Sequence, residues 1–246
     1  MATMTRPARG RPTASLRERV EGLPWDALRA ELDARGFALT PPLLRAAECR
    51  ELAGLFEDGR FRATVDMARH RFGEGEYKYF DNPLPDAVAR LRTELYPHLA
   101  QAANRWAEKL NDDERYPETL DEFLATCHAV GQTRPTPLIL RYEEGDWNAL
   151  HQDIYGEVYF PFQVVTVLSE PGDFAGGELV LVEQRPRAQS RAHVLRPERG
   201  AFVIFPTRER PQAGSRGHHR VRMRHGVSTL TAGSRTALGV IFHDAR

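Results

Sequence analysis

The chain has 246 residues, 41% of them hydrophobic, which suits one of the larger single domains with a real core. No apolar run has the length to span a bilayer and no signal-peptide pattern opens the chain, which argues against a membrane protein and for a cytoplasmic one. Acidic and basic residues balance at 34 each, and the two cysteines, Cys49 and Cys127, lack metal-site spacing and read as buried thiols of a reducing compartment.

Residues 1–15, rich in Arg, Pro, Thr and Ala, have little to bury and read as a disordered basic tail. A short helix is expected at Trp25–Ala34 and a strand at Gly36–Leu39. Pro41 and Pro42 then open a second helix to Phe56, with Leu44, Leu52, Leu55 and Phe56 on one face. Residues 61–80 mix Arg, Gly and aromatics. Tyr77, Tyr79 and Phe80 could stack on a planar base, or more simply form one half-buried strand. Leu84–Leu110 carries a helical stripe of Val88, Leu91, Leu95, Leu99, Ala102 and Trp106, which Pro97 should kink or split, and Thr119–Val130 is a further helix.

From residue 136 the period shortens. β-rich runs occur at Leu138–Tyr142, Trp147–His151, Phe162–Leu168, Glu178–Glu183, Ala192–Leu195, Ala201–Phe205, Val221–His225 and Thr236–Phe242, separated by turn clusters such as Pro171-Gly172-Asp173. Strands at this density predict an α+β chain in which a double-sheet jelly roll, 136–246, is the catalytic core. Residues 16–135 form a helical and mixed support region of the same domain.

Within that core, His151-Gln152-Asp153 carries the chemistry. Side chains two apart on a strand share a face, so His151 and Asp153 can offer an imidazole and a carboxylate to one metal ion. His225 would complete a two-histidine, one-carboxylate facial set, which suits non-haem Fe(II) with open positions. His218 is the alternative distal ligand. Arg235, ten residues after His225, could anchor the carboxylate of a dicarboxylate cosubstrate.

These residues, with Leu138–Tyr142 before them and the apolar run Ala237–Phe242 after, resemble the Fe(II)/2-oxoglutarate-dependent dioxygenase superfamily. Tyr142, Gly145 and His151-Gln152-Asp153 look like the AlkB nucleic-acid dealkylases, whereas His225, Gly233 and Arg235 look more like the prolyl hydroxylases. Leu140 stands where the AlkB pattern has an asparagine. From about Leu23 to Ala245 the chain is also similar to a bacterial oxygenase family linked to oxidative demethylation of damaged DNA. The resemblance implies a double-stranded β-helix (the jelly roll), with Fe(II) held by His151, Asp153 and His225. It further implies 2-oxoglutarate contacted by Tyr142 and Arg235, and oxygen as the other co-reactant.

The substrate is less fixed. Residues 185–224 hold eleven arginines against Glu198 and Glu209, a stretch that would favour single-stranded or damaged nucleic acid if it lay beside the pocket. All but two of the 34 basic residues are arginine, however, so arginine abundance alone marks nothing. The alternatives are a hydroxylase of a protein side chain, amino acid or small metabolite, and a non-catalytic jelly-roll binding or sensor module.

Overall fold

The computed structural model describes residues 14–185 and 188–246, so most of the expected N-terminal tail lies outside it. Ser15, at the boundary, is part of the fold. It caps α1 (Leu16–Glu21) in a reciprocal capping box with Glu18. The sequence reading passed over this helix, although Ser15-Leu16-Arg17-Glu18 carries the signature.

Then follow α2 (Trp25–Arg35), β1 (Ala38–Pro42), α3 (Ala46–Asp58), β2 (Phe61–Asp66), α4 (Met67–His70), β3 (Gly73–Glu74) and β4 (Glu76–Phe80). Pro41 and Pro42 do not open a helix. They end β1, which pairs only with a later strand and so forms a sheet edge, where a missing N–H is tolerated. α3 begins four residues later, with Arg45 as its N-cap residue.

α5 (Asp86–Lys109) runs unbroken through Pro97, and the predicted stripe is buried throughout. Apolar residues on both sides of the proline, Leu91 and Leu95 before it and Leu99 and Trp106 after it, belong to one core cluster. That shared packing keeps the two halves in one helix. α6 (Leu120–Ala129) begins at a Thr119–Glu122 capping box.

The β-rich half comprises β5 (Leu138–Glu143), β6 (Trp147–His151), β7 (Phe162–Val167), β8 (Phe174–Gly176), β9 (Leu179–Gln184), β10 (Arg191–Leu195), β11 (Ala201–Pro206), β12 (Glu209–Gly214), β13 (Gly217–Val227) and β14 (Leu230–Ile241). All eight predicted strands are present. β8 and the β12–β13 hairpin are additional, and the hairpin lengthens the predicted Val221–His225 strand at both ends.

Every pairing is antiparallel, in two sheets ordered β1-β11-β7-β14-β5-β4-β2 (with β8 on β14) and β10-β9-β13-β6-β3 (with β12 on β13). This is the expected jelly roll. Alternation on the larger sheet places Phe162, Val164, Phe202, Ile204, Leu238 and Val240 in the core cluster shared with α5. The opposite side chains meet the smaller sheet: Val165, Val203 and Phe205 pack with Leu179, Leu181 and Met223. The helices therefore brace the outside of the larger sheet, and the space between the sheets is left for the site.

Candidate metal centre and cosubstrate pocket

His225 on β13 stands directly opposite His151, the last residue of β6. Between them and Val227 the pairing slips by a bulge in β6, where Ala149 and Leu150 stand opposite Gly226, and a Cβ on that glycine would lie 2.5 Å from the Asn148 carbonyl oxygen. Glycine at this point lets the two histidine-bearing strands approach closely. The imidazole centroids are 4.1 Å apart, and His225 also sits edge-on to Phe205.

Asp153 falls just beyond β6, so strand alternation accounts for His151 but not for the carboxylate. Gln152 pins the exit by donating from Nε2 to the Arg208 and Met223 carbonyls, at 2.6 and 2.9 Å. The turn brings Asp153 Oδ2 to 3.0 Å from His225 Nε2 and Oδ1 to 3.5 Å from His151 Nε2. The three ligand atoms lie within 4.8 Å of one another, the spacing of a group that can hold one metal ion.

Electronic state agrees with that use. His151 Nδ1 lies 2.7 Å from the Ala149 carbonyl, which can only accept, so Nδ1 carries the proton and Nε2 keeps its lone pair for a metal. Burial would raise the Asp153 carboxyl, but His225 and His151 outweigh it and hold the group well below its usual range, ionised. Tyr155, absent from the sequence reading, donates from Oη to Asp153 Oδ1 at 2.6 Å.

Arg235 on β14 is paired in register with Tyr142 on β5, and only 2% of it is exposed. Its guanidinium lies 5.7 Å from the Tyr142 ring, and Nη1 is buried without a hydrogen-bond partner. Burial pulls the guanidinium below its usual value, with Tyr142 and Glu178 opposing, yet arginine stays charged in such surroundings. A buried cation with an unpaired donor suits an anion, and a carboxylate is one it can bind. Gly177 makes the room: a Cβ there would lie 3.1 Å from Arg235 Cδ. Tyr142 Oη accepts from Asn148 Nδ2 at 3.2 Å, and Asn148 is a further polar side chain of this pocket that the sequence reading missed.

One cavity of about 200 Å³ holds all five predicted residues, Tyr142, His151, Asp153, His225 and Arg235. Tyr77 and Tyr79 line it as well, whereas Phe80 points the other way into the helix-facing core. The alternative ligand His218 is exposed on the same strand as His225, seven residues away and beside the β12–β13 turn. At about 3.3 Å per residue it is on the order of 20 Å from the centre.

Among the described residues, no arginine of 185–224 lines the cavity. Arg185 and Arg210 pair with the buried Glu183, Arg196 with Glu178, Arg199 with Glu170, and Arg220 with Asp112 and Glu209. Arg222 and Arg224 are exposed and alternate with the buried Met223 and His225, so they occupy the outer face of the smaller sheet. Arg187 lies outside the described residues.

Residues 75–245 match the sequence profile of a family described as "Oxygenase, catalysing oxidative methylation of damaged DNA". The chain belongs to this oxygenase family. Two uncharacterised Mycobacterium tuberculosis proteins are each 52% identical over 189 residues, covering 76% of this chain and 78% of theirs. Among solved structures, the fold is similar to a Pseudomonas putida prolyl 4-hydroxylase (TM-score 0.54, 16% identity, 90% of this chain and 99% of that one). It is similar also to a Phytophthora capsici prolyl 4-hydroxylase (0.55, 17%, 96% and 68%). A third similar structure is a Trichoplax adhaerens prolyl hydroxylase in complex with a hypoxia-inducible-factor peptide (0.51, 15%, 94% and 93%). The chain is thus an oxygenase with the jelly roll of the 2-oxoglutarate/Fe(II) enzymes, and Fe(II) and 2-oxoglutarate are the cofactors its centre fits.

Proposed function

We propose that the protein is an Fe(II)/2-oxoglutarate-dependent dioxygenase that oxidises N-methyl groups on damaged nucleic-acid bases. The observation that carries the reaction class is a single cavity joining the His151–Asp153–His225 set to the unpaired, buried Arg235. His151, Asp153 and His225 hold the metal, while Arg235, with Tyr142 beside it, takes the distal carboxylate of the cosubstrate. Leu138, Leu140, Val165 and Leu179 give the cavity apolar walls around the reacting centre. When bound, iron and 2-oxoglutarate supply oxidative decarboxylation to succinate and carbon dioxide, coupled to hydroxylation of a substrate C–H bond.

The family description supports the choice of substrate. An oxygenase inserts oxygen into a C–H bond, so its chemistry on a methylated base removes the methyl group. An N-methyl carbon becomes N-hydroxymethyl, which releases formaldehyde and restores the N–H. Tyr77 on the cavity wall, with the half-exposed Phe72, offers a face on which a base can stack.

A hydroxylase of a protein side chain, amino acid or small metabolite is the second reading, favoured by the internal pairing of so many arginines in 185–224. Iron-loaded protein given 2-oxoglutarate, oxygen and either N-methylated single-stranded DNA, proline-containing peptides or free amino acids separates the two. Formaldehyde equal to succinate on methylated DNA is the expected result. Succinate formed only with a peptide or amino acid, without formaldehyde, would move the function to the second reading. Succinate independent of every substrate would favour a sensor or binding module.

A further inference from the structure

Asp153 is the one member of the set outside regular structure, so its carboxylate must be oriented by something other than a strand. Two tyrosines do so. Tyr79 Oη donates to Tyr155 Oη at 3.0 Å, and Tyr155 Oη donates to Asp153 Oδ1 at 2.6 Å. A phenol has one proton, so the direction is fixed: Tyr155 spends its proton on the carboxylate and receives Tyr79's in return. Both rings are held. Tyr79 is edge-on to Tyr77 and Tyr155, with the Arg62 guanidinium 4.4 Å above its ring, and Tyr155 packs on His243. Arg62 is itself fixed through Nε to the Pro135 carbonyl at 2.7 Å.

The consequence is an asymmetric carboxylate. Oδ1 accepts a short, charge-assisted hydrogen bond, while Oδ2, 3.0 Å from His225 Nε2, keeps a lone pair for a metal ion. We propose that Tyr155 is a positioning residue that keeps Asp153 a one-oxygen ligand, with Tyr79 orienting Tyr155. The remaining coordination positions are thereby left open. This rests on Asp153 being a metal ligand. The outer end of the chain, Tyr79, lies on the same cavity wall as Tyr77, so it connects the proposed substrate face to the metal carboxylate.

Anaerobic titration of the full chain with Fe(II) and with Mn(II), followed by 2-oxoglutarate, tests it. Tyr155→Phe should weaken metal affinity about 10- to 100-fold. It should also alter the Mn(II) paramagnetic-resonance spectrum and the Fe(II)–2-oxoglutarate absorption, while the melting temperature moves little. Tyr79→Phe, which leaves the Tyr155–Asp153 bond in place, should shift the same readouts by less. Wild-type affinity and unchanged spectra in Tyr155→Phe would overturn the proposal. If Tyr155→Phe fails to fold, unchanged spectra in Tyr79→Phe would do the same. Asp153→Ala separates the two levels: it should lose metal binding, and metal retained there would overturn the ligand assignment itself.

Discussion

His151, Asp153 and His225 bring three donor atoms within 4.8 Å, and that spacing makes each side chain separately testable. Alanine at any one of them should abolish substrate-dependent succinate formation and remove stoichiometric Fe(II) binding. His218→Ala should retain both, because that residue is exposed and seven positions along β13 from His225. A dead His218→Ala beside an active His225→Ala would reverse the assignment. At Arg235 the expectation is selective: Arg235→Gln should weaken 2-oxoglutarate and leave Fe(II) affinity intact. A charge-assisted hydrogen bond contributes about 1.5–3 kcal/mol, which is about tenfold to a hundredfold in the cosubstrate dissociation constant. Unchanged cosubstrate affinity in that variant would place the anchor elsewhere.

The strands set what these residues can do. Gly226, opposite the bulge in β6, is where β13 and β6 draw together, and both nearest atoms to an added Cβ are backbone oxygens, of Asn148 at 2.5 Å and Ala149 at 3.1 Å. Neither can rotate away, so Gly226→Ala should part the strands and separate His225 from His151. Fe(II) affinity should drop by about tenfold or more, as for other changes in the support of metal ligands, and a metal titration reads it directly. β13 also explains the arginines. With period two, the strand that turns Met223 and His225 inward turns Arg222 and Arg224 outward, so these charges cannot reach a substrate in the cavity. Arg222→Ser with Arg224→Ser should change the salt slope of single-stranded DNA binding by at most about two and leave turnover on methylated DNA intact. Lost turnover would mean that nucleic acid runs over the outer face of the smaller sheet.

Across the whole molecule, the helices brace the larger sheet and one buried ion pair ties them to the chain's end. Arg92 on α5 donates to the Ile241 and Phe242 carbonyls at 3.0 and 2.7 Å and pairs with Asp244 at 2.7 Å; both partners of the ion pair are nearly inaccessible. Arg92→Met would leave the Asp244 carboxylate buried with only the half-exposed His128 opposite it. Such uncompensated charges cost about 3–5 kcal/mol. Denaturant unfolding should show a loss of that order, and Arg92→Met combined with Asp244→Asn should recover part of it. The site itself should survive in molecules that remain folded, since Arg92 lies on the far side of the sheet from the cavity.

Local pattern determined much of this protein. Short β-rich runs between turn clusters located the eight core strands, the helical stripe of α5 was buried as spaced, His151, Asp153, His225 and Arg235 stood out by residue type and separation, and Tyr142 by resemblance to a known family. The strands and the helix are legible because β-rich runs and helical periodicity act over a few residues, and the site residues because few residue types can hold a metal or a carboxylate. Tertiary structure decided the rest. Pro41 and Pro42 look like a helix start until β1 is seen to be an edge strand, and Pro97 looks like a break until the packing on either side is known. The fate of the arginines depended on acids distant in sequence, such as Asp112 opposite Arg220. Above all, the hold on Asp153 comes from Tyr155 and, through it, from Tyr79, 76 residues earlier in the chain than Tyr155. A hydrogen bond between phenols so far apart leaves no period in a sequence, and only folding β4 beside the turn after β6 creates it.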